Sequence, residues 1–142
     1  MNCQEPNAEI DVSRRHEIIV RVVAADIDEM DHVNNTVYLR WVQEVAIAHW
    51  RTLASIDAQA ALVWVVLRHE IDYTAPSFIN DEVRLRTWVG EASRLTFERH
   101  TEITRAMDGE LLAKARTLWC PISTKTGRPT RVTAELRSQF SA

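Results

Sequence analysis

Asp26-Ile27-Asp28-Glu29-Met30-Asp31-His32-Val33-Asn34-Asn35-Thr36-Val37-Tyr38 separates an apolar, strand-like run from the longest helix-like run in the chain. Upstream, His16, Ile18, Val20 and Val22 alternate with Glu17, Ile19, Arg21 and Val23, a two-residue period rich in β-branched side chains that predicts a strand. Downstream, Tyr38, Trp41, Val42, Val45, His49 and Leu53 recur at three- and four-residue steps and predict one apolar helical stripe. Asn34 or Asn35 caps that helix, because a short amide side chain accepts a bond from a free backbone amide two or three residues on. The opposite side carries Arg40, Gln43 and Arg51 but also Ile47 and Trp50, so the helix is expected to be covered on more than one side.

The rest of the chain reads mostly as strands. Residues 1–14 form an expected flexible arm, polar and aperiodic, and residues 15–142 a single domain. Residues 55–60 read as a connecting loop. In 61–73, Val63, Val65, Leu67, His69, Ile71 and Tyr73 share one face of an alternating run. Val83, Leu85, Thr87 and Val89 alternate with Arg84, Arg86 and Trp88 until Gly90, which breaks or bulges the strand. Leu95, Phe97, Arg99, Thr101 and Ile103 oppose Thr96, Glu98, His100 and Glu102. Asp108-Gly109 marks a hairpin into a strand over 111–122. Val132, Leu136 and Phe140 predict a short terminal helix. The order is strand, long helix, about four antiparallel strands and a helical tail. It predicts an α+β protein in which a single antiparallel sheet wraps one central helix.

Composition limits the function classes. The 142 residues are 46% hydrophobic with a net charge of −3, which fits one globular domain and leaves no basic footprint for nucleic acid. No apolar run reaches the roughly 20 residues that span a bilayer, and residues 1–15 lack the basic start and apolar core of a signal peptide. Cys3 and Cys120 read as two free thiols in a reducing compartment, so the expected location is cytoplasmic.

The polar loop is either an elaborate helix cap or a working site. Asp26, Asp28, Glu29 and Asp31 lie too close together for all to be buried and ionised without compensation. The amides that begin the following helix favour negative charge. Facing a dry cleft, they would also hold the oxygen of a polarised carbonyl, while a carboxylate upstream attacks the carbon or activates a water. That combination suits acyl transfer. A calcium loop does not fit, since Met30 is no ligand, Asp31 stands where the turn needs glycine, and Val37 where a bidentate glutamate belongs. The histidines show no zinc-ligand spacing, and neither a nucleotide-binding glycine loop nor a serine-hydrolase elbow is present; no cofactor is expected. His16, His49, His69 and His100 read as structural or surface histidines.

Asp26-Ile27-Asp28, Met30, His32-Val33-Asn34-Asn35, Tyr38-Leu39 and Trp41, in this spacing, resemble the opening signature of the hotdog-fold acyl-CoA thioesterases. The nearest branch is the 4-hydroxybenzoyl-CoA thioesterase-like family, and the His-Val-Asn-Asn segment is shared with acyl-ACP thioesterases. The resemblance extends through the element order over roughly residues 15 to 129. It implies a hotdog fold and hydrolysis of an acyl-CoA or acyl-carrier-protein thioester. Asp28 would be the catalytic nucleophile or general base, the amide of Asn35 the oxyanion donor, and His32 a further catalytic-site residue. Asn34, Tyr38 and Asp26 would shape the substrate site, with Asp26 bracing the loop. Glu44 resembles an acidic position of some branches. Asp31 departs from the pattern, because many relatives have glycine there. The resemblance also implies a homo-oligomer, a dimer or a tetramer of dimers, with the thioester bound across the subunit interface and Arg68, Arg94 or Arg99 within reach of carrier phosphates. Two other readings share the fold: a non-catalytic acyl-CoA or acyl-carrier binder, and a lyase or hydratase that leaves the thioester intact.

Overall fold

The computed structural model describes residues 15–140; the expected N-terminal arm and Cys3 lie outside the described residues. Strand β1 (His16–Arg21) leads through a 3-10 turn (Ala24–Asp26) and the acidic loop into helix α1 (Asn35–Leu53). A short helix α2 (Ile56–Ala61) follows, then β2 (Leu62–Tyr73), β3 (Glu82–Ala92), β4 (Phe97–Arg105), β5 (Leu111–Ser123) and a terminal helix α3 (Ala134–Phe140). The strands form one five-stranded antiparallel sheet in the order β1-β3-β4-β5-β2. This is the hotdog arrangement, a long helix held by a single sheet with a short helix at the C-terminal end.

The helix begins and faces inward for the reasons legible in its residues. Asn34 is the N-cap, its side chain accepting from the Thr36 amide at 2.9 Å. Val37, Tyr38, Trp41, Val42, Val45, Ala46 and His49 are buried, a stripe at three- and four-residue steps. Trp41, Val42 and Val45 pack with Val22, Val83, Leu85, Ile103 and Leu112 from the sheet side. Each such side chain contributes about 1.5–3 kcal/mol through burial, and Trp41→Ala would cost about 3–5 kcal/mol.

Two expectations need correcting. Residues 55–60 are not a loop: Ser55 caps helix α2, its Oγ accepting from the Ala58 amide at 3.1 Å. The alternation of β2 is not unbroken either. A register shift between Val66 and Arg68 makes Leu67 an extra residue, so Trp64 and Val66 face inward before it and His69 and Ile71 after it. Val63, Val65 and Leu67 therefore point outward. At Gly90 the strand bulges, as one of the two expected outcomes had it: β3 continues to Ala92 with a register shift between Val89 and Ala92. A Cβ at Gly90 would lie 2.6 Å from Glu98 Oε1 and 2.9 Å from His100 Nε2, so a larger residue there would make those side chains shift.

Candidate active site

The loop between β1 and α1 closes on itself in five residues. The Asp28 amide donates to the His32 carbonyl at 2.8 Å, the Asp31 amide to the Asp28 carbonyl at 3.1 Å, and Ile27 bridges Val33 in antiparallel fashion. Asp31 turns the chain with φ at 62°, the left-handed region that aspartate tolerates better than most residues. Asp31 thus takes a conformation that glycine adopts freely while adding an exposed carboxylate.

Asp28 is half-buried, and its Oδ1 accepts the Met30 amide at 2.9 Å and, more distantly, the His32 amide at 3.4 Å. These bonds fix the rotation of the carboxylate. Among the described residues, Oδ2 accepts no hydrogen bond. His32 packs edge-on against Phe78 with ring centroids 5.3 Å apart.

The helix start leaves one amide unspent. The Asn34 amide donates to the Asp26 carbonyl, the Thr36 amide to Asn34 Oδ1 and the Val37 amide to the Asn34 carbonyl. Asn35 is exposed, and its N–H meets no acceptor among the described residues. It is the first amide of a 19-residue helix, where the aligned peptide dipoles place partial positive charge.

Asp26 and Tyr38 support this arrangement from below. Asp26 is 3% exposed; its Oδ2 accepts the Val23 amide at 3.0 Å and its Oδ1 pairs with Arg40 at 3.1 Å. Glu44 meets the other side of Arg40 at 3.4 Å and is exposed, away from Asp28's partners. Tyr38 is buried, its hydroxyl 2.6 Å from Ser77 Oγ and its ring edge-on to Trp41 and Tyr73. Burial raises the Tyr38 pKa above its ordinary value, so the phenol stays protonated.

Sequence reasoning missed Ser77. It is fully buried, its carbonyl accepts the Val33 amide at 2.9 Å, and its hydroxyl meets Tyr38, so it ties the β2–β3 connection to both ends of the acidic loop. Nothing in a serine's identity announces two long-range partners. Arg40, the counter-ion of Asp26, read merely as the polar back of the helix.

Arg99 differs from expectation as well. Instead of standing at the surface within reach of carrier phosphates, it faces the helix at 8% exposure, because it shares the inward register of Phe97 and Thr101. Its Nη1 lies 2.9 Å from His49 Nδ1 and 3.1 Å from Thr87 Oγ1. A guanidinium only donates, so His49 Nδ1 accepts and the imidazole is neutral. Burial first, then the charges of Arg99 and His16, push the His49 pKa down to about 3.

A family described as the thioesterase-like superfamily matches residues 22–140. The chain belongs to this superfamily. Among related sequences, an oleoyl-acyl carrier protein thioesterase of Arabidopsis thaliana is 28% identical over 138 residues, 90% of this chain and 37% of the relative. The chain spans 35% and 37% of the length of two of the curated relatives it matches. Among solved structures, a Thermus thermophilus thioesterase complexed with coenzyme A and zinc superposes with a TM-score of 0.76 at 25% identity, covering 87% of this chain and 95% of that one. A 1,4-dihydroxy-2-naphthoyl-CoA thioesterase from Synechocystis gives 0.75 at 20% identity, over 88% and 94% of the two chains. The fold is shared as well with a 12:0-ACP thioesterase from Umbellularia californica, TM-score 0.74 at 16% identity over 88% of this chain and 49% of that one.

Proposed function

We propose that this chain hydrolyses an acyl thioester, carried on coenzyme A or on acyl-carrier protein, to a free acid and a thiol. The observation that carries the reading is the pairing of an oriented carboxylate, Asp28, with the unspent helix amide of Asn35. The thioester carbonyl oxygen takes the Asn35 N–H, where developing negative charge is favoured by the helix start. Asp28 attacks the carbonyl carbon, expelling the thiolate and leaving a mixed anhydride that water hydrolyses, or it takes a proton from the water that attacks directly. His32 and Asn34 shape the opening, and Asp26 and Tyr38 hold the loop to the core as positioning residues.

The reading includes a second copy of the chain. β2 is an edge strand whose outward side chains Val63, Val65 and Leu67 are 50%, 42% and 57% exposed, and such an edge invites pairing. Beside the acidic loop, Phe78 and Met30 are exposed apolar side chains, and cover from a partner subunit or from substrate accounts for them.

Release of free thiol from a panel of short, long and aromatic acyl-CoAs, and from the matching acyl-carrier-protein thioesters, tests the proposal. Thiol appears with at least one carrier if it is right. Saturable acyl-CoA binding without thiol release would replace it with the non-catalytic binder, and alteration of the acyl chain with the thioester intact would replace it with the lyase or hydratase.

A further inference from the structure

A cleft lies between the C-terminal half of α1, the helix-facing side of the sheet and α3. Its interior volume is about 60 Å3, and its mouth is open to solvent. Trp50, Trp64, Phe97 and Trp119 wall it, and its charged members are Arg99 and Arg137; no carboxylate lines it. None of its residues belongs to the loop or helix start around Asp28.

The surface of the cleft is almost wholly apolar, and donors without an acceptor lie buried behind it. Arg99 spends only Nη1, on two neutral acceptors. Its Nε and Nη2 meet no acceptor among the described residues, and no carboxylate there pairs with its charge. Burial lowers its pKa to about 10, which leaves it cationic at neutral pH. Trp64 Nε1, Trp119 Nε1 and Arg137 Nε are also buried without a partner. An indole N–H and a guanidinium can only donate, and a buried cation without a counter-ion is costly. The missing partner is thus an anion that only accepts. The aromatic walls add that it carries an apolar body, since a strongly hydrated inorganic ion would lose its water against indole and phenyl faces.

We propose that this cleft binds an apolar carboxylic acid, its carboxylate on Arg99 and its hydrocarbon or aromatic body against the tryptophans. The inference stands apart from hydrolysis at Asp28. A free acid and the distal carboxylate of an acyl group present the same chemistry, and the test separates them.

Calorimetric titration of the full chain with octanoate and with 1-octanol reads the carboxylate's contribution, and octanedioyl-CoA against octanoyl-CoA reads the acyl-borne source. Either octanoate binds at least 10-fold tighter than octanol, identifying a free acid, or octanedioyl-CoA binds at least 10-fold tighter than octanoyl-CoA, identifying an acyl terminus. In both cases Arg99→Met abolishes the preference. Trp119→Phe keeps a ring and removes one donor, and reduces the preference several-fold; it decides the matter where Arg99→Met does not fold by circular dichroism. Equal affinity for acid and alcohol together with equal affinity for the two thioesters, or a preference unchanged in the variants, overturns the proposal.

Discussion

At the scale of single residues, the acidic loop divides its labour by depth. Asp26 is buried and paired with Arg40, so its charge supports the loop, whereas Asp28 is half-buried and held by turn amides with one oxygen unspent. Asn34 joins the two functions, since its side chain satisfies the Thr36 amide and thereby caps the helix whose next amide is free. Loss of that cap in Asn34→Ala would cost about 1 kcal/mol, seen in thermal melts as a drop of a few degrees. A turnover loss in that variant far larger than the stability loss would show the cap setting the aim of the Asn35 amide. Asp31 makes a separate prediction. Because φ there is 62°, Asp31→Gly fits the backbone without strain. If the carboxylate at this position hinders substrate approach, Asp31→Gly lowers KM at constant kcat; an unchanged KM would show that it does not.

At the scale of elements, α1 lies on a sheet surface that is not uniformly apolar. Thr87, Arg99, Thr101 and Thr117 interrupt the inward face, and His49 on the helix meets Arg99. Burial of His49, with the Arg99 charge beside it, makes stability depend on pH. The His49 pKa falls from 6.5 unfolded to about 3 folded, so the unfolded chain binds the extra proton between those values. Stability is full above pH 6.5 and is lost as pH falls towards 3, with a slope approaching about 1.4 kcal/mol per pH unit. His16, stacked on His49, is shifted in the same direction and adds to the slope. Denaturant melts from pH 7 to pH 4 would measure it, and His49→Gln, which keeps an acceptor for Arg99, should flatten the profile; an equally steep profile in that variant would refute the assignment. Periodicity carried this far into the sequence. Alternation put Arg99 on the same face as Phe97 and Ile103, and helical spacing put His49 in the apolar stripe, so both polar intrusions were visible in principle. The bulge at Leu67 was not, because a register shift is set by the partner strand. Helix α2 was missed because its six residues are too short to show a period.

At the scale of the whole molecule, the sheet has one edge that looks prepared for a second copy. Local pattern reveals strands and their faces but not their neighbours, and β2 becomes an edge only because β5 returns to pair with it. The geometry of the candidate site was legible where it rests on local capping and turn chemistry. It was hidden where distant elements converge, as Ser77 does on Val33 and Tyr38. If β2 forms the subunit contact, Val65→Lys combined with Leu67→Lys places charges on it and yields a monomer by light scattering with thioester turnover reduced at least 10-fold. A wild-type chain that is already monomeric and active would exclude the shared-site arrangement.

The role proposed for Asp28 in acyl thioester hydrolysis is tested by comparing kcat/KM for thiol release between wild type and Asp28→Asn. The substitution keeps the Oδ1 acceptor for the Met30 amide, so the melting temperature should stay within a few degrees of wild type. The expected result is a loss of about 10²–10⁴-fold, the range for removing a positioned acid–base group. Turnover within a few-fold of wild type in a folded Asp28→Asn protein would rule out Asp28 as the group that does the chemistry.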